Sequence, residues 1–308
     1  MRIYTITLNP AYDVHAYIDT FTPYHENLAH LQSKIAGGKG VNISRALKNA
    51  DVQHTAIVVI GTENGAEFKA ELDACGLTCN YIHKPGRIRE NLTFHCGNAP
   101  ETRISFSGFS VDNDLLKQLE SQLEVDEDTY ITYTGRNPNG ISTDDAIAFL
   151  KKLQERGAKI ILDSKSFDLP QMLAVRPWLI KPNQEEISEL MGCNINSFEE
   201  CLEKAKTFSD NGIENVMVSL GEKGALLITK DNTYIATPPS IDAVSTIGAG
   251  DSSIAGFLEA TYHGLSPEKR IATAVAFGSA ACTTEGTEPP IYSTVLEILE
   301  KVIVKTIG

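Results

Sequence analysis

The sequence predicts an α/β fold in which a mostly parallel sheet has helices on both faces and carries a small second sheet. Strand-like apolar runs alternate with helical runs along most of the chain, which is typical of parallel sheets. One such run, residues 55–60, is apolar throughout, as in a strand buried on both faces. Two patches, about 11–36 and 85–110, instead contain short alternating runs that fit a half-exposed sheet over the mouth of the large domain.

The expected elements follow in chain order from this periodicity. Strands of the large sheet are expected at 3–8, 55–60, 79–83, 129–134, 159–162, 178–181 and 215–220, with a hairpin at 225–229 and 233–236. Helices are expected at 41–49, 63–75, 112–123, 143–156, 169–175, 183–191, 198–211, 252–263 and 267–284, and a final helix at 295–304. The large domain would then comprise 1–10, 37–84 and 111–308, and the small β-sheet lid 11–36 and 85–110.

Composition limits the classes of protein that the chain can belong to. Its 308 residues, 42% hydrophobic and 22% charged, suffice for one large core with a small attached lobe. The formal net charge of −13 argues against nucleic acid or an anionic membrane as a partner. No apolar run approaches the length of a membrane span, and the first residues form a strand-like run rather than a signal peptide. Six scattered cysteines without a Cys-x-x-Cys pair indicate reduced thiols in a cytoplasmic protein.

The stretch Ser245–Asp251 is the strongest candidate for a reactive site. Two glycines flank Ala249, a carboxylate follows at once, and helical periodicity begins at Ser252. A helix N-terminus attracts anions, and small residues let the backbone approach them closely. The functional interpretation is a backbone anion hole with Asp251 as general base for a hydroxyl that attacks a phosphoryl group. The alternative is an ordinary turn in which Asp251 caps the helix.

Three further stretches could complete a site. Asn9–Asp13 and Gly37–Asn42 lie where the small sheet joins the core, and they offer hydroxyl acceptors and backbone access for a sugar, or simply a glycine hinge. Lys181–Glu186 follows a buried strand; it could hold hydrated Mg²⁺, or Asn183 and Glu186 could form a capping box. Val218–Ala225 runs from a strand into a glycine turn that could face a nucleotide or be a plain hairpin turn.

Together these residues closely resemble the PfkB family of carbohydrate kinases, within it the 1-phosphofructokinase and tagatose-6-phosphate kinase group. Six pieces carry the resemblance, in the family's order along almost the whole chain. They are Thr7-Leu8-Asn9-Pro10-Ala11-x-Asp13, Gly37-Gly38-Lys39-Gly40-x-Asn42, Arg89-x-Asn91, Lys181-Pro182-Asn183-x-x-Glu186, Val218-Ser219-Leu220-Gly221-x-x-Gly224-Ala225 and Ser245-Thr246-x-Gly248-Ala249-Gly250-Asp251. The resemblance implies a Rossmann-like, ribokinase-like domain with a β-sheet lid through which such proteins often form homodimers.

The resemblance also implies roles for individual residues. Catalysis would fall to Asp251 as base, with the amides of Gly248, Ala249 and Gly250 as the anion hole. The expected sugar contacts are Asp13, Gly38, Lys39, Asn42, Arg89, Asn91 and Arg136. The expected ATP contacts are Asn183, Ser219, Gly221, Gly224, Thr246, Gly248 and Gly250, with Glu186 at Mg²⁺ through water.

The acceptor is expected to be phosphorylated, because in phosphosugar kinases of this group the Arg-x-Asn segment lies near the substrate phosphate. Lys84, Arg87, Arg89 and Arg103 fall in or beside the lid patch and could supply local positive charge, or form a solvated basic edge. Two loops depart from the family pattern and place cations, Arg136 and Lys165, where small residues are usual. Ribokinase-type enzymes hold a monovalent cation with an Asp at the position that Ser245 occupies here, so we expect no such cation site from the resemblance.

The sequence therefore predicts a cytoplasmic ATP- and Mg²⁺-dependent kinase of a ketohexose phosphate, with fructose 1-phosphate the first choice of acceptor. The phosphoryl group would go to the 6-hydroxyl. Tagatose 6-phosphate is the alternative acceptor. A nucleotide- and sugar-binding sensor without turnover is the alternative from another class; the altered 134–138 loop favours it, and the intact glycine turn with Asp251 opposes it.

Overall fold

The structure is a computed structural model, and it describes residues 1–97, 102–112 and 114–307. Its strands are β1 (Arg2–Thr7), β2 (Ala11–Tyr17), β3 (His30–Gly37), β4 (Thr55–Gly61), β5 (Cys79–Lys84), β6 (Arg89–His95), β7 (Thr102–Ser105), β8 (Thr129–Thr134), β9 (Lys159–Asp163), β10 (Leu179–Ile180), β11 (Asn215–Ser219), β12 (Ala225–Ile228), β13 (Thr233–Thr237) and β14 (Ile303–Thr306). Its helices are α1 (Lys39–Asn49), α2 (Gly65–Ala74), α3 (Asp114–Ser121), α4 (Thr143–Glu155), α5 (Leu169–Val175), α6 (Gln184–Met191), α7 (Phe198–Asp210), α8 (Ala249–Tyr262), α9 (Pro267–Ala281) and α10 (Tyr292–Leu299).

Two sheets organise these elements, and the predicted fold class is confirmed. The large sheet has the strand order β14-β13-β12-β11-β10-β9-β8-β1-β4-β5, and every pair from β5 across to β11 is parallel. The pairs from β11 to β14 are antiparallel. The small sheet has the order β3-β2-β6-β7, so the two alternating patches of the sequence do pair with each other.

Helices cover both faces of the large sheet, and each face has its own apolar core. Apolar residues of α2 to α7 pack in one buried cluster against the sheet. Those of α1, α8, α9 and α10 pack mainly in another, in which α8 and α9 are close neighbours. The uninterrupted apolar run of β4 is buried from Ala56 to Gly61, as expected for a strand covered on both faces.

The strand order reverses between β1 and β8, and this reversal is where a ligand cleft is expected. After β1 the chain continues to β4 and β5 on one side and returns to β8 on the other. In open parallel sheets, ligands bind outside the carboxyl ends of the strands at such a switch point. The small sheet begins at β2, directly after the carboxyl end of β1, and so lies next to that point.

The structure corrects one expectation about the tail and shifts several element ends. The predicted final helix over 295–304 is wrong: α10 ends at Leu299, and Ile303–Thr306 form an edge strand that pairs antiparallel with β13. Helix α8 begins at Ala249, three residues earlier than expected. The domain limits stay a prediction, and residues 98–101 of the predicted lid lie outside the described residues. Within the described ranges, every helix is too short or too polar to cross a membrane.

Candidate active site

The first turn of α8 places a buried carboxylate at the carboxyl ends of the strands. Gly248 is the N-cap residue, with φ of +81°, a left-handed conformation that suits glycine. The alternative in which Asp251 caps the helix is therefore wrong. Asp251 lies in the first turn, 7% exposed, and its Oδ2 accepts a hydrogen bond of 2.9 Å from Asn42 Nδ2. Asn42 comes from α1, so this bond joins α8 to the glycine-rich segment after β3.

The backbone beside Asp251 is suited to an anion. Gly248, Ala249 and Gly250 form the start of α8, where N–H groups have no acceptor within the helix and the helix dipole is positive. Thr246, which precedes these residues, is exposed to solvent. A side chain on Gly250 would place its Cβ 2.9 Å from Lys181 Nζ. The glycine thus lets a buried lysine approach the helix start, and Lys181 is a cleft residue that the sequence reasoning left unassigned.

Two lysines and two aspartates set the electrostatics of the cleft. Lys39 Nζ lies 2.7 Å from Asp163 Oδ2, and burial of Asp163 is outweighed by Lys181 and Lys39, which lower the pKa of its carboxyl. The pKa of Asp251 is raised to about 6 because burial, helped by Asp163, exceeds the opposing effects of Lys39, Asn42 and Lys181. The pKa of Lys39 rises to about 12, since the carboxylates outweigh its burial.

A second group of side chains gathers where the small sheet meets the cleft. Asp13 Oδ1 accepts hydrogen bonds from Asn91 Nδ2 at 2.9 Å and from Arg103 Nη2 at 3.0 Å. Arg89 Nη1 donates to Asn91 Oδ1 at 2.8 Å. Burial lowers the pKa of Arg89, Asp13 opposes that effect, and positive charge on Arg103 and Arg136 adds to it. Arg103 was not assigned to the site from sequence, although it had been placed in the lid patch.

Glycines at the end of β3 allow this group to form. Gly38 has φ of +127°, and a Cβ on Gly37 would lie 2.6 Å from Asp13 Oδ2. Several buried polar atoms around the cleft have no hydrogen-bond partner among the described residues. They are Thr7 Oγ1, Asn42 Oδ1, Arg89 Nε, Thr134 Oγ1, Asn137 Nδ2 and Thr287 Oγ1. Buried polar groups are normally paired, so this arrangement fits a site that receives a polar ligand.

The segment after β10 forms the capping box that the sequence allowed. Glu186 N–H donates to Asn183 Oδ1 at 2.7 Å, and Asn183 N–H donates to Glu186 Oε2 at 3.1 Å. Lys165 Nζ lies 3.7 Å from Glu186 Oε1, beside a cavity of about 400 Å³ that Lys181 also lines. Asn183 forms an isolated parallel bridge with Ser219, which brings this segment to the carboxyl end of β11.

The turn after β11 completes this side of the cleft. Gly221 and Gly224 have φ of +61° and +92°, and a Cβ on Gly224 would lie 2.0 Å from the carbonyl oxygen of Ala236. The turn therefore needs glycine at 224 for its own packing, apart from any ligand. In the described part of the chain, no three His, Cys, Asp or Glu side chains lie close enough to hold a metal without other ligands.

Comparison with known proteins gives matches over nearly the whole chain. The family model of the pfkB family carbohydrate kinases matches residues 7–294. A 1-phosphofructokinase of Haemophilus influenzae is 31% identical over 307 residues, covering 97% of each chain. One of Bacillus subtilis is 32% identical over 299 residues, covering 96% of this chain and 98% of the relative. The crystal structure of phosphofructokinase-2 from Escherichia coli in complex with substrates and products has 28% identity and a TM-score of 0.91, over 98% of this chain and 99% of the other.

The raised pKa of Asp251 can be measured directly. We expect a ¹³C NMR titration to give a carboxyl signal with a pKa of about 6 that is missing in Asp251→Asn. Asn42→Ala removes a hydrogen bond that favours the ionised form, so the pKa should rise further. A pKa near 4 in the unchanged protein, or a lower value in Asn42→Ala, would contradict this account.

Proposed function

The chain belongs to the pfkB family of carbohydrate kinases, and on that basis we propose that it phosphorylates a ketohexose phosphate, namely fructose 1-phosphate at its 6-hydroxyl, with ATP as donor. It is a sugar kinase that transfers phosphate to an alcohol group. The observation that carries the proposal is that the segment from Gly37 to Asn42 links two groups: Asn42 donates to the buried carboxylate of Asp251 at a helix start suited to anions, and Gly37 packs against Asp13 beside the arginines of the small sheet.

Asp251 has the properties of a general base. Its pKa of about 6 leaves it ionised at neutral pH and basic enough to accept the proton of the 6-hydroxyl. The hydroxyl oxygen then forms a bond to the γ-phosphorus, the bond from that phosphorus to the bridging oxygen of ADP breaks, and ADP leaves with the electron pair. Backbone N–H groups of Gly248, Ala249 and Gly250 stabilise the charge on the transferring phosphoryl group.

The small sheet supplies the acceptor side. We assign Asp13 to sugar hydroxyls, with Gly38, Lys39 and Asn42 as further contacts at the edge of the cleft. Arg89 is the primary phosphate ligand, because its buried Nε lacks a partner among the described residues while Asn91 holds its other end. Arg136 lies on an exposed loop close enough to Arg89 to act on its charge, and it is the second phosphate contact.

The nucleotide belongs on the opposite side, along the ends of β11 and α8. Its proposed contacts are Asn183, Ser219, Gly221, Gly224, Thr246, Gly248 and Gly250.

Mg²⁺ usually keeps several waters and binds through one or two carboxylates and the substrate phosphates. Glu186 fits that habit, because it lines the cavity and its Oε1 lies 3.7 Å from Lys165 Nζ, beyond hydrogen-bond distance. The ion would neutralise phosphate charge, and unchanged activity after removal of divalent cations by EDTA would contradict its role.

The relatives favour fructose 1-phosphate over tagatose 6-phosphate as the acceptor. The curated relatives at 31% and 32% identity are both 1-phosphofructokinases. Membership of a kinase family, with Asp251 in place at the helix start, also favours turnover over a non-catalytic sensor.

Exposed apolar residues of the lid further support a homodimer through it. Of the eleven exposed large hydrophobic residues in the described ranges, six belong to the lid: Phe21, Tyr24, Leu28, Leu31, Ile104 and Phe106. Exposed apolar residues concentrated in one part of a protein favour an interaction site there. We propose a second copy of the chain as the occupant.

The proposed reaction is tested by ADP release across a panel of acceptors. Fructose 1-phosphate should give the highest kcat/KM, above tagatose 6-phosphate, unphosphorylated ketohexoses and nucleosides. Asp251→Asn should lower the rate by about 10²–10⁴-fold. Because the base must be ionised, wild-type kcat/KM should fall as the pH drops below about 6, and this limb should vanish in the variant. Near-normal turnover in Asp251→Asn, or no ADP release with any acceptor, would refute the proposal.

Arg89→Ala tests the phosphate on the acceptor. A hydrogen bond to a charged group contributes roughly 1.5–3 kcal/mol, so kcat/KM for the phosphosugar should fall about 10- to 100-fold. The loss should be much smaller for the matching neutral sugar. Arg156→Ala is the control and should leave kinetics unchanged, because it removes an exposed arginine just before the amino end of β9, away from the carboxyl ends where the site lies. Equal losses for neutral and phosphorylated sugars would remove Arg89 from the phosphate site.

Leu31→Lys tests the lid dimer. A charge in the apolar lid face should shift the protein from dimer to monomer in sedimentation velocity, since a charge buried without a partner is costly. Ile303→Lys, on the exposed edge strand β14, is the control and should leave the sedimentation coefficient unchanged. A monomeric wild-type protein, or a dimer that tolerates Leu31→Lys, would contradict this interface.

A further inference from the structure

The chain passes between the two sheets at two buried positions whose backbone is hydrogen-bonded by side chains at or near helix α2. One is Ala36, near the end of β3, where the chain returns from the small sheet. The other is Ile88, immediately before β6, where the chain enters it. Both residues are buried, at 0% and 1% exposure, so their backbone groups need protein partners. At both, side chains of the large domain satisfy the N–H and the C=O together.

Asn64 holds Ile88 in the manner of a paired β-strand. The N–H of Ile88 donates to Asn64 Oδ1 at 2.7 Å, and Asn64 Nδ2 donates to the carbonyl oxygen of Ile88 at 3.0 Å. The hydroxyl of Tyr12, on β2, donates to the backbone carbonyl of Asn64 at 3.0 Å. Asn64 occupies the N-cap position of α2, where asparagine is among the preferred caps, yet its side chain makes no capping bond. The side chain is committed to Ile88 instead of its own helix.

An ion pair from α1 and α2 holds Ala36 in the same way. The N–H of Ala36 donates to both carboxylate oxygens of Glu71, at 2.9 Å each. Arg45 Nη1 donates to the carbonyl oxygen of Ala36 at 2.6 Å, and its Nη2 donates to Glu71 Oε1 at 2.8 Å. The Arg45 side chain is 6% exposed and that of Glu71 is 32% exposed, so these charge-assisted bonds are only partly shielded from water.

Both held positions directly precede the acceptor residues. Ile88 is followed by Arg89, and Ala36 is followed by Gly37, Gly38 and Lys39. We propose that Asn64 and the Arg45–Glu71 pair are positioning residues that fix the sugar-phosphate end of the cleft by holding the backbone on either side of it. The proposal rests on the proposed function in one respect, that the acceptor binds at Arg89 and Lys39. It also means that Gly37 and Gly38 form a fixed cradle rather than a free hinge.

Asn64→Ala and Glu71→Gln test the proposal. The first removes both bonds to Ile88; the second keeps the size of the side chain and removes its charge. KM for the acceptor should rise about tenfold in Asn64→Ala, the effect of about 1.4 kcal/mol. KM for ATP should stay within twofold, since among the described residues no hydrogen bond joins Asn64 or the Arg45–Glu71 pair to the proposed nucleotide contacts near the ends of β11 and α8. Asp73→Asn is the matched control, because Asp73 lies on α2 but pairs with Lys69 and Tyr81 at the surface, and it should change neither KM.

Hydrogen exchange gives a readout that is independent of turnover. The amide of Ile88 should exchange faster in Asn64→Ala, and the amide of Ala36 faster in Glu71→Gln. Asn64→Asp keeps the acceptor for the Ile88 N–H, so exchange there should return towards the wild-type rate, with an intermediate KM. This variant keeps the test valid if Asn64→Ala does not fold.

Two outcomes would overturn the proposal. Faster amide exchange with an unchanged acceptor KM would show that Asn64 and the Arg45–Glu71 pair do not position the site. An equal rise in both KM values, tracking a loss of thermal stability, would show a purely structural role. Each assay uses whichever acceptor the wild-type protein phosphorylates best. If that acceptor carries no phosphate, the proposed function fails. The comparison of KM for the acceptor with KM for ATP still decides whether Asn64 and the Arg45–Glu71 pair position the acceptor.

Discussion

The ion pair between Lys39 and Asp163 is the contact on which the cleft depends. Asp163 ends β9 and is buried, and an ionised carboxylate in that position is costly unless cations face it. Lys39 is the first residue of α1 and directly follows the segment that returns from the small sheet. The ion pair therefore holds the start of α1 against the end of β9, and α1 in turn carries Asn42 to Asp251. These two contacts connect β9, α1 and α8.

The same pair explains why Asp251 remains a weak acid although two lysines lie nearby. Both Lys39 and Lys181 lower the pKa of Asp163, so their charge is shared between two carboxylates. The pKa of Asp163 is lowered because the charge of Lys181, together with Lys39 bonded directly at 2.7 Å, outweighs its burial. Asp251 receives a neutral hydrogen bond from Asn42, and burial then raises its pKa to about 6. A carboxylate with that pKa suits the general-base role that we propose for Asp251.

Sequence periodicity predicted local structure well and long-range pairing less well. The strand at 129–134 and the helix at 169–175 have the limits expected from their patterns. The prediction of a helix for the tail was wrong because Ile303 and Val304 continue a helical spacing. Their partner strand β13 lies far away in sequence, so no local pattern shows the pairing. The roles of Arg103 and Asn64 are hidden for the same reason: no local signal shows that Arg103 reaches Asp13, or that Asn64 turns from its own helix to Ile88.

A chain with a net charge of −13 can still attract a phosphorylated sugar, because screening makes the local arrangement decisive. At physiological salt, exposed charges farther apart than about 8 Å are largely screened, whereas half-buried ones are screened much less. Within the cleft, Arg103 and Lys39 are matched by Asp13 and Asp163. Arg89 instead bonds to the neutral Asn91 and keeps a buried Nε without a partner among the described residues. Positive charge with unused donors is thus concentrated where the small sheet meets the cleft, which is where an anionic acceptor gains most by binding.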